Sequence, residues 1–146
     1  MPYERLINQN RIVPFKSTTA QVNQLLQVAE RDLKAAQRNL DVDADWAYTM
    51  AYNAILQACR AVVFSEGFRP RGGEQHITVV EFASEKFGEE FNKEVQLFDQ
   101  MRRKRHRIIY ETAGLVSIEE AKQAVTFANR FVFEINKIIT GKNHLF

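Results

Sequence analysis

The stretch DWAYTMAYNAILQACRAVVFSEG, residues 45–67, decides the fold class because it has the pattern of one long helix lined with small side chains. Alanine recurs along it at spacings of three and four, which is the period of one helix face. Small side chains let neighbouring helices approach closely. A cap at Asp43 or Asp45 would begin this helix, and Gly67 would end it. The predicted inner face consists of Ala47, Ala51, Ala54, Ala58 and Ala61, flanked by Met50, Ile55 and Val62.

Helical periodicity continues on both sides of this stretch. Every proline and glycine lies between the predicted periodic segments, and the short links make consecutive helices antiparallel. The sequence therefore predicts an all-α protein, an antiparallel up-down four-helix bundle with one additional short helix. The predicted helices run from Ser17 or Thr18 to Leu40, from the Asp43 or Asp45 cap to Ser65 or Glu66, from the turn at 69–73 to Gly88, from about Glu89 to Tyr110 or Glu111, and from the Ser117–Glu120 capping box to Ile139.

The 146 residues are the length of one ordinary domain. Residues 1–16 lack clear periodicity and are predicted to form an N-terminal arm. Residues 17–141 would form the single bundle, and residues 142–146 would form a C-terminal tail. Hydrophobic residues make up 45% of the chain and charged residues 26%, which is typical of a globular protein rather than a disordered one.

The composition disfavours several classes of protein. No apolar run approaches the roughly 20 residues needed to span a bilayer, and the N-terminus lacks the apolar segment of a secretory signal. The single cysteine, Cys59, cannot form an internal disulfide, so we expect a reducing, cytoplasmic setting. No Cys/His set has the spacing of metal ligands, and no Gly-rich phosphate loop is present, so no metal or cofactor is predicted.

Positive charge is concentrated in one segment of the fourth predicted helix. The net charge of +2 is too small to favour nucleic acid through a global field, but five of the six residues from Arg102 to Arg107 are Arg or Lys. On a helical wheel at about 100° per residue, Arg102 and Arg105 share one sector with apolar side chains. Because Arg is almost never buried without a partner, these two either pair with carboxylates in the bundle or face a cleft or a second subunit. The apolar members of the sector are Phe91, Val95, Phe98 and Ile109.

A polar flank adjoins this sector on the same helix. Such a group could hold an anion such as phosphate, with Arg as a fork-shaped donor and His or Tyr as a proton carrier. The alternative interpretation is a solvated basic face, since cations are favourable near the C-terminal end of a helix dipole. That alternative applies most to Arg103, Lys104 and Arg107. The flank consists of Asp99, Arg103, His106 and Tyr110.

Outside the fourth predicted helix the candidate residues are weaker. His76, which follows the turn at 69–73, is interpreted as a structural hydrogen-bonding residue rather than a ligand. Tyr48 and Tyr52 are spaced to stack on a base, but aromatic pairs at helical spacing more often belong to the core. Cys59 is expected to pack in the core as well.

The chain resembles the HEPN domain family, whose members are helical bundles, from about Ala20 to Ile139. Active members of that family are metal-independent ribonucleases, and their motif sites meet at a dimer interface. The motif is an Arg, a polar residue, then four to six residues and a His. The resemblance is carried by Trp46–Ala54 in the second predicted helix, the Glu66-Gly67 stop, His76 at the start of the third, and Asp99–Tyr110 in the fourth.

Arg105-His106 matches the opening of this motif, but the closing His is absent. Tyr110 stands five residues after Arg105, and positions 111–113 offer Glu, Thr and Ala. A phenol with a pKa of about 10 is a poor general base at neutral pH. If cleavage occurs, the resemblance implies that Arg105 stabilises the phosphorane charge and that His106 moves the proton.

The resemblance also implies partners. Family members are often encoded beside a minimal nucleotidyltransferase as toxin–antitoxin pairs, and in some pairs the transferase modifies a tyrosine just after the motif. Tyr110 resembles that acceptor, the alternative being an amphipathic residue half-buried at a helix end. The chain would thus be a toxin-like homodimer in which Arg102 and Arg105 line a basic groove between subunits and bind RNA or nucleotide phosphate. Two alternatives stay open, a non-catalytic protein-interaction module and a nucleotide-binding module.

Overall fold

The computed structural model describes residues 3–144, with side chains through residue 141. The four long helices form a bundle to which one shorter helix is added, so the predicted all-α fold is confirmed. None of the helices in residues 3–144 combines the length and the hydropathy that a membrane crossing requires. In chain order the elements are α1 (Glu4–Asn8), β1 (Ile12–Pro14), α2 (Thr19–Asn39), α3 (Ala44–Ser65), β2 (Phe68–Pro70), α4 (Gln75–Phe87), a 3-10 turn (Gly88–Phe91), α5 (Asn92–Tyr110) and α6 (Ile118–His144).

Three of the long helices begin where a side chain satisfies a free N–H group of the first turn. At the start of α2, the Thr18 hydroxyl accepts from the Gln21 N–H at 3.1 Å, and the Gln21 side chain accepts from the Thr18 N–H at 2.9 Å. Asp43 caps α3 by accepting from the Trp46 N–H at 3.1 Å. The Ser117 hydroxyl caps α6 in the same way. These caps explain why the predicted starts of the three helices agree closely with the structure.

The central helix is α3, which packs against α2, α4, α5 and α6. Its predicted alanine face is 0% exposed, and the small side chains allow the neighbouring helices to lie close to it. Tyr52 and Cys59 are also fully buried on this helix. Among the partly exposed polar residues of α3, Asn53, Gln57 and Arg60 lie on the side that faces α4.

The carboxylate of Asp45 on α3 forms hydrogen bonds with the link between α5 and α6. Asp45 accepts hydrogen bonds from the backbone N–H of Gly114 at 2.6 Å and from that of Val116 at 3.2 Å. Gly114 has a φ of 76°, a left-handed conformation that glycine adopts without strain. The C-terminal end of α5, which carries the arginine-rich segment, is thereby positioned relative to α3.

The N-terminal segment, for which the sequence predicts only an arm, packs onto the bundle. In an antiparallel ribbon β1 pairs with β2, with Ile12 opposite Pro70. Tyr3 and Leu6 are buried, and the Tyr3 ring stacks on Phe82 of α4 with centroids 4.1 Å apart. Strands of three residues and a helix of five are too short to give a periodic sequence signal. The ribbon holds β2, and the turn that follows it, beside the start of α4.

Two predicted helix ends are wrong. The start expected near Glu89 lies in the 3-10 turn, and α5 begins at Asn92. The end expected at Ile139 is early, because α6 continues through Gly141 to His144. Gly141 has no positive φ, and a glycine inside a helix costs only about 1 kcal/mol relative to alanine. Residues 145–146 of the predicted tail lie outside the described residues.

Candidate anion-binding site

An open cavity of about 510 Å³ lies between the beginning of α4 and the C-terminal half of α5. We call it the α4–α5 pocket. Its volume is within the range of about 300–1,000 Å³ that is usual for small-molecule sites. The pocket thus opens directly beside the arginine-rich segment that the sequence singles out. Its lining residues are Glu74, Gln75, His76 and Ile77 on one side and Arg102, Arg105, His106 and Tyr110 on the other.

Arg105 is the most unusual residue of this pocket. Its side chain is partly buried, and its Nε is buried without a hydrogen-bond partner among the described residues. The guanidinium carbon lies 5.9 Å from the centroid of the Tyr52 ring on α3, a cation–π contact. A buried donor left unsatisfied costs roughly 1–3 kcal/mol, and more when it is charged. In the described chain the cations of α5 that form ion pairs are Arg102, Arg103, Lys104 and Arg107, and Arg105 is not among them.

Arg102 lines the same pocket but has a partner on its own helix. Its Nε donates to Asp99 Oδ1 at 2.9 Å, and its side chain is 22% exposed. Asp99 Oδ2 also accepts from Arg103 at 2.7 Å, so two guanidinium groups share one carboxylate. The sequence left open whether the two arginines pair with carboxylates or face a cleft. Arg102 does both, whereas Arg105 faces the cleft without an ion pair.

The apolar sector of α5 explains why both arginines lie at the edge of the core. Val95 and Phe98 are buried as predicted, but Ile109 is 41% exposed, which contradicts the wheel. Met101 is buried instead, and Ile108 packs against the core. The apolar side of the helix therefore rotates by about one position over the last three turns. This rotation turns Arg102 away from the core, whereas Arg105 stays at the core edge, and both side chains line the pocket.

The predicted polar flank divides between two surfaces. His106 and Tyr110 line the α4–α5 pocket with ring centroids 4.7 Å apart. Asp99 and Arg103 line a different depression. Arg103 has a side chain that is 69% exposed and lies outside the pocket, as the solvated-face interpretation predicts. Tyr110 is 69% exposed rather than half-buried.

His76, interpreted from the sequence as a structural residue, also lines the pocket. Its Nδ1 lies 2.8 Å from the hydroxyl of Tyr52. Burial lowers the pKa of His76, and the positive charges of Arg105, Arg60 and Arg102 lower it further, so the ring is neutral at pH 7. Burial raises the pKa of Tyr52, whose phenol therefore keeps its proton. The sequence offers no spacing that links residue 76 to α5, because only the packing of α4 brings them together.

A second, smaller cavity of about 260 Å³ adjoins the pocket, and we call it the amide recess. Asn53, Gln57 and Arg60 occupy positions i, i+4 and i+7 of α3, so they form one polar row on a helix whose other sides are largely buried. That spacing is the sequence signal that could have identified them. The recess shares Gln75, His76 and Arg105 with the α4–α5 pocket and is further lined by Asn53, Leu56, Gln57, Arg60, Pro70 and Val79.

The two cavities carry an excess of positive charge. Arg60, Arg102 and Arg105 line them, and Glu74 is the carboxylate among their lining residues. Within the described residues, no group of three or more His, Cys, Asp or Glu side chains is arranged to hold a metal ion. Guanidinium groups and a neutral imidazole offer hydrogen-bond donors, and the guanidinium fork matches the oxygens of a phosphate. The arrangement is thus suited to binding an anion.

Comparison with known proteins identifies the family. A protein-family model described as HEPN domain matches residues 22–138. The fold is similar to the crystal structure of TT1696 from Thermus thermophilus, with a TM-score of 0.63 over 80% of this chain and 97% of that chain. The two sequences are 18% identical, so this likeness shows the fold alone. A comparison with curated proteins gives no match. Since the family model spans the bundle from α2 to α6, the chain belongs to the HEPN domain family.

Proposed function

We propose that the protein binds the phosphate groups of RNA or of a nucleotide in the α4–α5 pocket, with Arg105 as the principal contact. The observation that carries this proposal is the buried Arg105 Nε, which has no hydrogen-bond partner among the described residues. A guanidinium group is a rigid donor that fits phosphate oxygens in pairs. A bound phosphate would neutralise the charge of this guanidinium group, and its oxygens would satisfy Nε after a small movement of the side chain that opens this atom to the pocket. Membership of the HEPN family points to a nucleotide- or RNA-related function.

Arg102 and His76 have supporting roles in this proposal. Arg102 is oriented by Asp99, which also neutralises part of its charge, so it contributes less than Arg105. In this proposal the Tyr52 hydroxyl, 2.8 Å from His76 Nδ1, donates a hydrogen bond to that nitrogen, so that the neutral ring carries its own proton on Nε2. That N–H is a further donor for an anion in the pocket.

The binding proposal is tested by titrating a short RNA and a nucleoside monophosphate into wild-type protein and into Arg105→Ala. We expect Arg105→Ala to weaken binding at least about tenfold, the effect of losing a charge-assisted pair of hydrogen bonds. Arg38→Ala is the matched control, since Arg38 is an exposed arginine of α2, which packs against α3 and α6. It removes the same net charge and should change affinity by less than about twofold. Equal losses in the two variants would show that only the overall charge matters, and would refute a specific site.

A second candidate function is metal-independent cleavage of the bound RNA. It is favoured by the two imidazoles, His76 and His106, that line the same pocket as Arg105. His106 would accept the proton of the attacking hydroxyl and a water molecule would protonate the leaving oxygen, while the neutral His76 donates a hydrogen bond to the phosphate and Arg105 stabilises the phosphorane charge. In the presence of a chelator, His106→Ala should reduce cleavage at least about a hundredfold. If wild-type protein freed of any partner leaves RNA intact, this candidate is excluded.

The family resemblance supports two further parts of the proposal. The protein would act as a homodimer whose basic groove lies between subunits, and as the toxin-like partner of a minimal nucleotidyltransferase. Tyr110 has an exposed ring beside His106, so a transferase could reach its hydroxyl. Incubation with such a transferase and a nucleoside triphosphate should add the mass of one nucleotidyl group to wild-type protein and none to Tyr110→Phe. Equal labelling of the two proteins would show that Tyr110 is not the acceptor of the nucleotidyl group.

A further inference from the structure

The amide recess contains hydrogen-bonding capacity that the fold does not use. Asn53 is half-buried, and its side-chain amide forms no hydrogen bond with any described residue. Gln57 uses its Oε1 to accept from Arg60 at 3.1 Å, which leaves its amide N–H₂ group free. Buried polar groups normally find partners in the protein or in ordered water, and neither of these amides is among the buried atoms without a partner in the described chain. The two amides are therefore open to the recess and to a ligand in it.

The chemistry of this lining differs from that of the α4–α5 pocket. A phosphate is an acceptor and needs only donors, which Arg102 and Arg105 supply. The recess adds side-chain amides at positions 53, 57 and 75, each with a donor and an acceptor in one plane. Asn and Gln amides pair in this way with the edges of nucleobases. Leu56 and Val79 give the recess apolar surface, and the planar groups of Arg60 and His76 can stack on a base.

The position of the recess relates it to the phosphate contact. Arg105 and His76 belong to the walls of both cavities, so a ligand in one lies next to a ligand in the other. The lining of the recess contains no carboxylate, so the recess itself does not repel a phosphate beside Arg105, and Glu74 is the carboxylate of the adjoining pocket. The two cavities together therefore match a ligand in which a phosphate is joined to a group that has both hydrogen-bond donors and acceptors.

From these observations we infer that the amide recess binds the nucleobase of the nucleotide unit whose phosphate contacts Arg105. The inference rests on the proposed phosphate binding and adds the part of the ligand that is recognised by its base. Asn53 is the principal base contact because its amide is free at both ends, and Gln57 contributes through its free N–H₂ group. The ligand class is thus a ribonucleotide unit, free or within RNA, rather than phosphate alone.

The test compares ligands with and without a base by calorimetry. Wild-type protein is titrated with the four nucleoside 5′-monophosphates and with ribose 5-phosphate, which has the same phosphate but no base. At least one nucleotide should bind about tenfold more tightly than ribose 5-phosphate, the increment of one good amide–base pair. Asn53→Ala should remove this advantage while leaving the affinity for ribose 5-phosphate unchanged. Asn23→Ala, which removes an exposed asparagine of α2, is the matched control. This variant should still bind the nucleotide more tightly than ribose 5-phosphate.

The outcomes separate the two proposals. If nucleotides and ribose 5-phosphate bind equally well to wild-type protein, the base site is refuted while the phosphate site stands. The same holds if Asn53→Ala weakens both ligands to the same extent with an unchanged unfolding temperature. If no ligand binds, both proposals fail.

Discussion

The two halves of α5 present neighbouring sides of one helix to different surroundings. In the N-terminal half, Val95 and Phe98 are buried, whereas in the C-terminal half Arg102 and Arg105 line a pocket. Both halves contact the same ring, since Tyr52 lies 5.5 Å from the Phe98 ring and 5.9 Å from the Arg105 guanidinium carbon. The first half of the helix therefore stabilises the bundle. The second half uses that rigid support to hold cations whose burial the fold alone does not favour.

The largest effect is expected from the N-terminal half. Phe98 is 0% exposed, so Phe98→Ala should lower the free energy of unfolding by about 3–5 kcal/mol through lost burial and a cavity. Phe133→Ala is the matched control, because Phe133 is 61% exposed and its loss should cost less than about 0.5 kcal/mol. Urea unfolding measures both. Similar losses in the two variants would contradict the assignment of this half to the core.

The pH dependence of stability tests the effect of the pocket on the pKa of His76, which faces the second half of α5. The folded-state pKa of His76 lies below its ordinary value of 6.5, so below about pH 6.5 the unfolded chain binds a proton that the folded chain does not. The contribution of His76 to the free energy of unfolding is therefore fully present above about pH 6.5. It decreases as the pH falls, by at most about 1.4 kcal/mol per pH unit. Unfolding at several pH values should show a shallower loss in His76→Gln than in wild type. Identical slopes would mean that neither burial nor the arginines lower the pKa of this imidazole.

Replacement of Arg105 by an apolar residue of similar length should separate stability from binding. Arg105→Met removes a partly buried charge without an ion pair, so we expect the free energy of unfolding to rise by about 1 kcal/mol. Binding of the phosphate ligand should fall at the same time. Calorimetric melting and a binding titration on one preparation measure the two effects. A destabilised Arg105→Met would indicate that the guanidinium group serves the fold.

The smallest effect is expected from the solvated side of the same segment. Arg103 is 69% exposed and pairs with Asp99 on the surface, where such pairs contribute about 0.3–0.5 kcal/mol. Arg103→Ala should therefore change both stability and ligand affinity only slightly. Arg103 and Arg105 are two residues apart and carry the same charge. A comparison of the two alanine variants therefore shows the effect of side-chain position alone. A loss of binding in Arg103→Ala as large as that in Arg105→Ala would contradict the comparison.

The sequence predicts the helices because burial and capping are local patterns. The alanine row of α3, the caps at Thr18 and Ser117, and the charged interruption of the α5 stripe are all visible as spacings. Ile109 was assigned to the wrong side because a wheel with a fixed angle cannot show that the core contact of α5 rotates toward Ile108.

The remainder of the site depends on contacts between elements distant in sequence. His76 and Arg105 meet only because α4 packs against α5, and Asn53 meets them from α3. The β1–β2 ribbon, which places the turn before α4, pairs residues 12–14 with 68–70 across strands too short for a periodic signal. No spacing within one helix encodes these contacts.

The proposed contact between the Arg105 guanidinium group and a phosphate can be tested through the Nε–H resonance of Arg105. The arginine Nε–H signals can be observed by NMR, with Arg105 assigned from the signal that Arg105→Met lacks. On titration with the nucleotide, phosphate binding should shift the Arg105 Nε–H signal downfield and slow its exchange with water, while the Arg103 signal stays in place. A saturable titration that leaves the Arg105 signal unmoved would contradict a phosphate contact at Arg105.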